Sequence, residues 1–270
     1  MTRAAHPAYI RRVAPPRISV VLPVYNEDAN IQACLRRLAE ALADHDHEIL
    51  VCYDFDEDRT LPAIAAMTDK PATVRLVKND LGRGVAFAMR AGFAAASGDV
   101  VVTTMADLSD PPDVIPLMAD KIRRERAHVV AGSRYMPGGS QQGGPLLKRT
   151  FSRLAGLSLR WIAGLGTHDA TNNFRAYSAE FLRKVEVESD AGFEVALELT
   201  VKAHLGGFKV DEVPTTWEDR TAGQSRFRVW AWIPRYLRWY LRAAAFPLVV
   251  WALVAGFLVA VGFAIRSVRP

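Results

Sequence analysis

Cysteine is scarce in this chain of 270 residues, which contains only Cys34 and Cys52. The two stand at no spacing that suits a zinc site or a disulfide framework, so we expect a reducing, cytoplasmic setting. Residues 1–17 contain no apolar run and predict a flexible lead rather than a signal peptide or an anchor. No Gly-x-Gly-x-x-Gly follows the first predicted strand, which disfavours a dinucleotide-dependent dehydrogenase.

Long uncharged apolar runs are also rare, and residues 243–265 form one that is long enough to cross a bilayer, for which about 20 residues are needed. Residues 228–242 before it mix aromatic and basic side chains, as segments at lipid headgroups do. We expect an interfacial helix, a single transmembrane helix and a short tail of residues 266–270, with a buried core helix as the alternative for the apolar run. Basic residues are more numerous before the run than after it, which places the body of the protein in the cytoplasm.

Positive charge is in excess, since 34 Lys and Arg stand against 29 Asp and Glu and give a net charge of +5. Such an excess predicts an anionic partner, which is nucleic acid, anionic lipid or a phosphorylated substrate. Much of the excess lies directly before the apolar run, and no zinc-finger spacing occurs. Membrane lipid is therefore favoured and nucleic acid is not.

Strand and helix patterns alternate from residue 18 to about residue 135. The alternation predicts an α/β fold with a mostly parallel sheet flanked by helices. Because ligands collect beyond the carboxyl ends of such strands, we expect the polar clusters at these ends to converge. The clusters are Tyr25-Asn26-Glu27, then Asp54 with Asp56 and Asp58, then Asp107 with Asp110, and Ser133-Arg134.

The acids that follow the fourth strand, in VVTTMADLSD, predict a cation site. Mg²⁺ is held by one or two carboxylates together with substrate phosphates, so Asp107 is sufficient as its anchor. Arg134 and Arg220 are placed to clamp phosphates through planar, bidentate contacts. A solvated acidic loop and surface ion pairs are the ordinary alternatives for these residues.

The alternation weakens after Tyr135. Residues 136–145 are rich in glycine and predict a flexible loop. Residues 146–165 predict a basic amphipathic helix, which lies either on a membrane surface or against the core with its basic side in solvent. The glycine and polar content of residues 218–227 predicts a lid.

Seven motifs occur in order: SVVLPVYNE, CYDFDEDRT, NDLGRGVAFAMRAGFAAASGD, MADLSDPPD, VAGSRY, NNFRAY and VDEVPTTWEDRTAGQSRF. Together they resemble the inverting family 2 glycosyltransferases with the GT-A fold, and most of all the dolichyl-phosphate mannose synthase and polyprenyl-phosphate glucosyltransferase type. The resemblance spans residues 18–227. It implies transfer of a sugar from a GDP- or UDP-sugar to a polyprenyl phosphate, with inversion.

For the donor, the resemblance implies that Pro23, Tyr25 and Glu27 hold the nucleotide and that Asp54 contacts the base. It implies also that the nucleotide phosphates and a divalent cation, Mg²⁺ or Mn²⁺, meet at Asp107.

Met105 stands where the family has its first metal-binding acid, and Ser109 stands where the family has a glutamine. A thioether is a poor ligand for a hard cation. Either Asp107 holds the metal with help from Ser109, Asp110 and phosphate oxygens, or the metal is weakly bound and the arginines take over.

For the acceptor, the resemblance implies a set of cations and hydroxyls around the lipid phosphate. These residues are Arg134, Lys148, Arg149, Ser152, Ser225 and Arg226. Arg220 resembles the arginine of the closing loop, and it joins Asp107 and Arg134 as a catalytic candidate. Since the acceptor phosphate is already an anion, positioning and charge stabilisation suffice without a strong general base.

Two other functions stay open. Transfer to a lipid or glycan hydroxyl needs a general base, for which Asp169 and Glu198 are the candidates. The second alternative is a catalytically inactive, nucleotide-binding scaffold protein. The presence of Met105 in place of an acid is the feature that suggests it.

Overall fold

The computed structural model describes residues 17–190, 192–219 and 233–245. Nine strands lie in this part of the chain: β1 (Ile18–Pro23), β2 (His47–Tyr53), β3 (Val74–Lys78), β4 (Val100–Thr103), β5 (Val129–Ser133), β6 (Ser140–Gln142), β7 (Arg175–Ser178), β8 (Val210–Pro214) and β9 (Thr216–Glu218). They are accompanied by the helices α1 (Ile31–Ala41), α2 (Thr60–Ala65), α3 (Val85–Ala95), α4 (Ile115–Glu125), α5 (Leu146–Ala163), α6 (Ala179–Lys184) and α7 (Val195–Leu205), and residues 233–245 are helical too.

The main sheet has the strand order β3-β2-β1-β4-β7-β5-β8. All its neighbours pair in parallel except β7, which runs antiparallel to both β4 and β5. The predicted mostly parallel α/β sheet is therefore confirmed. Parallel strands end at one edge of the sheet, and this places the ends of β1, β2, β4 and β5 together.

Helices cover the sheet on both faces, which is why its central strands are mostly apolar. The six residues of β1 are all buried. Helices α1, α2 and α4 pack with the strands in one apolar cluster, whereas α3, α6 and α7 pack on other clusters. The packing of helices on both faces of the sheet holds the strand ends in fixed positions, as a binding site requires.

The prediction of a flexible loop over residues 136–145 is wrong for its middle part. Residues Ser140–Gln142 form β6, which pairs in parallel with β9 as a second, two-stranded sheet. Gly138, Gly143 and Gly144 adopt positive φ and make the turns on either side. A three-residue polar strand carries no periodic apolar signal, so sequence patterning missed it.

The predicted amphipathic helix is confirmed as α5, and its two halves have different surroundings. Its last turns bury Leu159 and Ala163 against α7 and against residues 233–245, which are also helical. Its first turns expose Leu147, Phe151 and Leu154. The helix therefore packs on the core through part of its last turns and exposes apolar side chains along its length, including Trp161, which is 85% exposed.

Residues 233–245 include most of the predicted interfacial segment, residues 228–242, and the first three residues of the predicted transmembrane run. Trp239 is buried there, and its Nε1 donates to Ser189 Oγ at 3.2 Å. Among the residues that the structure describes, no helix has the length and apolarity to cross a bilayer. Most of the predicted transmembrane run, residues 246–265, lies outside the described residues, as do the predicted lead up to residue 16 and residues 266–270.

A buried carboxylate ties β2 to its neighbours. Glu48 accepts hydrogen bonds from Ser19 Oγ at 2.7 Å, from Ser97 N at 2.8 Å and from Ser97 Oγ at 2.6 Å, and it pairs with Arg75. Burial alone would raise the pKa of Glu48, but these donors lower it to about 2.

We expect Glu48→Gln to lower the free energy of unfolding by about 2 kcal/mol at pH 7, because the charge-assisted bonds are lost. The folded-state pKa is below the ordinary value of 4.5, so the contribution is complete above that pH and disappears as pH falls towards 2. Urea unfolding of both proteins at pH 7 and pH 2.5, followed by circular dichroism, measures this. A difference of equal size at the two pH values would contradict the assignment.

Candidate active site

The ends of β1 and β2 are joined through backbone groups. The backbone turns sharply at Asn26, whose φ is 53°, and Asn26 N donates to both oxygens of Asp58 at 3.0 and 3.1 Å. Glu27 N donates to Thr60 Oγ1 at 2.9 Å. The first two predicted polar clusters therefore converge, and a non-glycine residue at positive φ marks their junction.

Asp54 shapes the turn that precedes α3. Its Oδ1 accepts from Asn79 Nδ2 at 2.7 Å and its Oδ2 accepts from Gly84 N at 2.8 Å. Gly82 and Gly84 adopt φ of 149° and 120°, which this turn requires. Both carboxylate oxygens of Asp54 thus accept hydrogen bonds within the protein, and these bonds stabilise the turn before α3.

An aromatic pair lies at the same edge of the sheet. The rings of Tyr25 and Phe55 meet edge to face at 5.5 Å, and the Arg83 guanidinium lies 5.8 Å from the centre of the Phe55 ring. Tyr25 is 45% exposed. Sequence reasoning did not single out Phe55, although an aromatic residue in an otherwise acidic strand-end loop is a detectable signal. Such exposed rings offer a stacking surface for a nucleobase.

The loop after β4 holds Asp107 in a buried position. Leu108 adopts φ of 63°, a conformation that costs an ordinary side chain roughly 1–2 kcal/mol. This bend brings Ser109 N to Asp107 Oδ1 at 3.2 Å. Ser109 O accepts from Glu218 N at 3.0 Å, so the chain that leads into the predicted lid departs from beside Ser109.

The ends of β1 and β4, which lead to Glu27 and Asp107, lie side by side because the two strands pair in parallel, with Val21 opposite Thr103. Burial, together with the negative charges of Asp107 and Glu27, raises the pKa of Cys34 on α1 to about 12. Asp107 is only 7% exposed, so it does not point into bulk solvent.

Asp110 is the second buried carboxylate of this loop. It accepts from Asn172 Nδ2 at 3.3 Å. Burial raises its pKa to about 7, although Asn172 and the charge of Arg134 act in the opposite direction, and Asp107 adds to the rise. Asn172 and Arg134 therefore offset only part of the effect of burial on the pKa of Asp110.

These residues fit a divalent cation whose remaining ligands come from a substrate. Asp107 and Asp110 offer carboxylate oxygens, and Ser109 Oγ is buried without a hydrogen-bond partner among the described residues. Oxygen donors are the ligands that Mg²⁺ and Mn²⁺ prefer. The described residues contain no group of three His, Cys, Asp or Glu that holds a metal alone.

Arg134, at the end of β5, is bound to Asp169. Its Nε donates to Asp169 Oδ2 at 2.7 Å and its Nη2 to Asp169 Oδ1 at 3.0 Å. Burial would lower the pKa of Arg134, but Asp169 raises it above its ordinary value. Burial would raise the pKa of Asp169, and Arg134 lowers it. The pair is charged on both sides, so Arg134 carries no net local charge towards a ligand.

Both carboxylates considered as general bases have structural roles. Asp169 is fully buried and bound to Arg134. Glu198 is fully buried in α7, accepts from Glu188 N at 2.6 Å and Ser189 N at 2.8 Å, and pairs with Lys202 at 2.7 Å. A carboxylate saturated by donors is a poor proton acceptor.

The predicted acceptor residues are placed in part. Ser152 lies on α5, and its Oγ accepts from Arg134 Nη2 at 3.0 Å, so these two meet. Arg149 is exposed, one turn earlier on the same helix, and Lys148 lies beside it in the sequence. Three predicted residues fall outside the described residues: Arg220, Ser225 and Arg226.

The sequence model described as Glycosyl transferase family 2 matches residues 19–186. This chain belongs to glycosyltransferase family 2. The matched range runs from β1 through α6 and contains Tyr25, Asp107 and Arg134. The protein is therefore a glycosyltransferase, as the motifs predicted.

Two curated relatives belong to one functional group. A dolichol-phosphate mannosyltransferase of Pyrococcus furiosus is 31% identical over 216 residues, which cover 78% of this chain and 59% of that enzyme. A polyprenol monophosphomannose synthase of Mycolicibacterium smegmatis is 32% identical over 217 residues, which cover 78% of this chain and 80% of that enzyme. The chain thus spans less than two thirds of the Pyrococcus enzyme.

Solved structures confirm the GT-A fold. Glucosyl-3-phosphoglycerate synthase from Mycobacterium tuberculosis, in complex with Mn²⁺, UDP and glucosyl-3-phosphoglycerate, superimposes with a TM-score of 0.65. The match covers 86% of this glycosyltransferase and 81% of that chain, at 21% identity.

Proposed function

We propose that this glycosyltransferase moves a sugar from a nucleotide diphosphate to a polyprenyl phosphate, with inversion at the anomeric carbon. One observation carries the proposal: anion-binding groups and exposed apolar side chains occur together on α5. Ser152, on this helix, accepts a hydrogen bond from Arg134, which follows β5. Leu147, Phe151 and Leu154 are exposed along the first turns of the helix. A polyprenyl phosphate presents the same combination of an anion and an apolar chain.

The donor is assigned to the joined ends of β1, β2 and β4. Tyr25 and Phe55 offer the base a stacking surface, and Glu27, with Pro23 at the end of β1, lines the nucleotide. Asp107, with Ser109 and Asp110, is assigned to Mg²⁺ or Mn²⁺, which when bound neutralises the charge of a departing diphosphate. The Mn²⁺ and UDP in the mycobacterial synthase structure support this type of donor site.

The acceptor phosphate attacks without help from a strong base, because it is an anion at neutral pH. Asp169 and Glu198 are engaged in the fold, which supports an acceptor of this kind over a hydroxyl. The chemistry then depends on orientation and on donors held in place before the reaction. The two curated relatives, which are named for dolichol-phosphate and polyprenol monophosphomannose, support the same acceptor class.

We propose a membrane location for the reaction. The transmembrane run of residues 243–265 serves as a single C-terminal anchor, and the exposed basic residues before it, such as Arg235, lie at the headgroups of a cytoplasmic face, whereas Trp239 packs on the protein core. The exposed apolar residues of α5 face the same lipid. Arg220, Ser225 and Arg226, on the predicted lid and outside the described residues, are assigned to the phosphates of the substrates.

An acceptor panel tests the proposal. Purified protein is supplied with radiolabelled GDP- and UDP-sugars, Mg²⁺ or Mn²⁺, and either a short polyprenyl phosphate or the matching polyprenol. We expect lipid-extractable label with the phosphate and none with the alcohol. Label on the alcohol, or on neither, would overturn the proposed acceptor.

Removing the aromatic surface at the end of β2 tests the base site. We expect Phe55→Ala to weaken binding of the donor nucleotide about 10-fold, because stacking on one aromatic side chain contributes about 1–3 kcal/mol. Isothermal titration with GDP and UDP measures it. Phe208, whose ring packs on Phe181 away from the site, provides the control Phe208→Leu. Equal affinities of Phe55→Ala and the unchanged protein would contradict the assignment.

A further inference from the structure

We propose that Thr171 is a third donor to the acceptor phosphate and that Asp169 is the residue that positions it. This inference rests on the proposed function, because it concerns the same acceptor. The motifs assign a role to Arg134 and Ser152 but none to Thr171, which lies in the segment that leads into β7.

Three donors from separate parts of the chain meet at one point. Arg134 Nη2 donates to Ser152 Oγ at 3.0 Å and to Thr171 Oγ1 at 3.2 Å, and the two hydroxyls are in direct hydrogen-bond contact. Ser152 and Thr171 are both half-buried, so a ligand reaches them from solvent. A guanidinium flanked by two hydroxyls is a donor set that suits phosphate oxygens.

Asp169 holds this triangle in place before any ligand arrives. Besides the two side-chain bonds from Arg134, its Oδ1 accepts from Thr171 N and from Thr171 Oγ1, both at 3.3 Å. When the acceptor binds, the single hydroxyl hydrogen of Thr171 turns from Asp169 to the phosphate, while the bond from Thr171 N keeps the residue in place. The Nη1 nitrogen of Arg134 has no hydrogen-bond partner among the described residues, although Nε and Nη2 are fully engaged. Donors that are already ordered bind an anion without a large loss of conformational entropy.

Gly156 allows the close approach that brings the two hydroxyls together. It lies four residues after Ser152 on α5, and a Cβ atom placed there would stand 2.1 Å from His168 O. No side chain fits, so only glycine lets α5 rest on the segment that carries Thr171. The contact between Ser152 and Thr171 therefore follows from backbone packing and not from side-chain flexibility.

Net positive charge at this place comes from α5. Because Asp169 cancels the charge of Arg134, attraction for an anion requires other cations. Arg149 and Arg153 are exposed on α5, one turn before and directly after Ser152, and neither pairs with a carboxylate among the described residues. Arg153 is close enough to Tyr135 to lower its pKa, against the effect of burial. The two hydroxyls would orient the phosphate through hydrogen bonds, and the exposed arginines would attract it through their positive charge.

Thr171→Val removes the hydroxyl and keeps the shape. We expect the KM for polyprenyl phosphate to rise about 10- to 100-fold, because a hydrogen bond to a charged group is lost. The KM for the donor should stay within about twofold, and Thr171→Ser should restore the acceptor KM. Thr150→Val is the matched control, since Thr150 is exposed on α5 and its Oγ1 donates only within the helix, to Leu146 O at 2.9 Å.

The outcomes separate the inference from the function on which it rests. If the unchanged protein transfers no sugar to polyprenyl phosphate, the proposed function fails and this inference fails with it. If the unchanged protein is active and Thr171→Val leaves the acceptor KM within twofold, or raises the donor KM equally, only the inference is overturned. Thermal unfolding of each variant reports whether folding is retained, and Thr171→Ala, which also lacks the hydroxyl, is measured in the same way if the valine variant does not fold.

Discussion

Asp107→Asn is expected to reduce sugar transfer about 100- to 1,000-fold while the protein remains folded. The carboxylate is buried in the loop after β4, beside Ser109, whose buried hydroxyl has no partner among the described residues. Losing one preorganised group that stabilises developing charge has effects of this size. The substitution keeps the side-chain volume, so the bond from Ser109 N to position 107 persists. Turnover of the donor at saturating acceptor measures the loss.

Binding provides a second readout for the same residue. We expect Asp107→Asn to weaken the dependence of GDP or UDP affinity on Mn²⁺, as measured by titration with and without the metal. Asp113→Asn is the matched control, because Asp113 is an exposed carboxylate a few residues later in the same loop. Metal-dependent binding that is unchanged in Asp107→Asn, together with near-normal turnover, would remove Asp107 from the cation site.

The second large effect is expected on stability. Asp169→Asn should lower the free energy of unfolding by about 3–5 kcal/mol, because it leaves the guanidinium of Arg134 buried without its counter-charge. The depressed pKa of Asp169 gives the same sign: its contribution is complete above the ordinary aspartate pKa and is lost as pH falls below it. Urea unfolding at pH 7 measures the difference.

An exposed ion pair provides the comparison. Lys184 and Glu180 are joined at 2.6 Å on α6, with both side chains more than half exposed. Glu180→Gln should change the free energy of unfolding by no more than about 0.5 kcal/mol. If Asp169→Asn proves as mild as Glu180→Gln, the buried pair does not hold this part of the fold.

Much of the fold follows from the sequence pattern. The apolar runs at β1, β2, β4 and β5 are buried on both faces, and such runs in alternation with helices define a parallel sheet. The antiparallel insertion of β7 between β4 and β5 was not predictable in this way. A strand of four residues carries no sign of its direction, which depends on how far the chain travels through α5 before it returns.

The site was predictable to a similar degree. Asp107 is where a strand-end argument places it, and Ser152 meets Arg134 as the resemblance implied. The partnership of Arg134 with Asp169 joins residues 35 positions apart and leaves no local pattern. Thr171 could not be singled out from the sequence, because only the fold brings it next to Arg134 and Ser152. The contact of Asp54 with the base stays a prediction, and the structure adds that its oxygens fix the turn before α3.

The linkage of the product tests the central claim most directly. The lipid product formed from a nucleotide sugar and polyprenyl phosphate is isolated, and its phosphorus NMR spectrum and its lability in mild acid are recorded. The account predicts a single phosphodiester resonance, release of the sugar in mild acid, and an anomeric configuration opposite to that of the donor. A phosphomonoester resonance with an acid-stable sugar would place the sugar on a hydroxyl and contradict transfer to the phosphate.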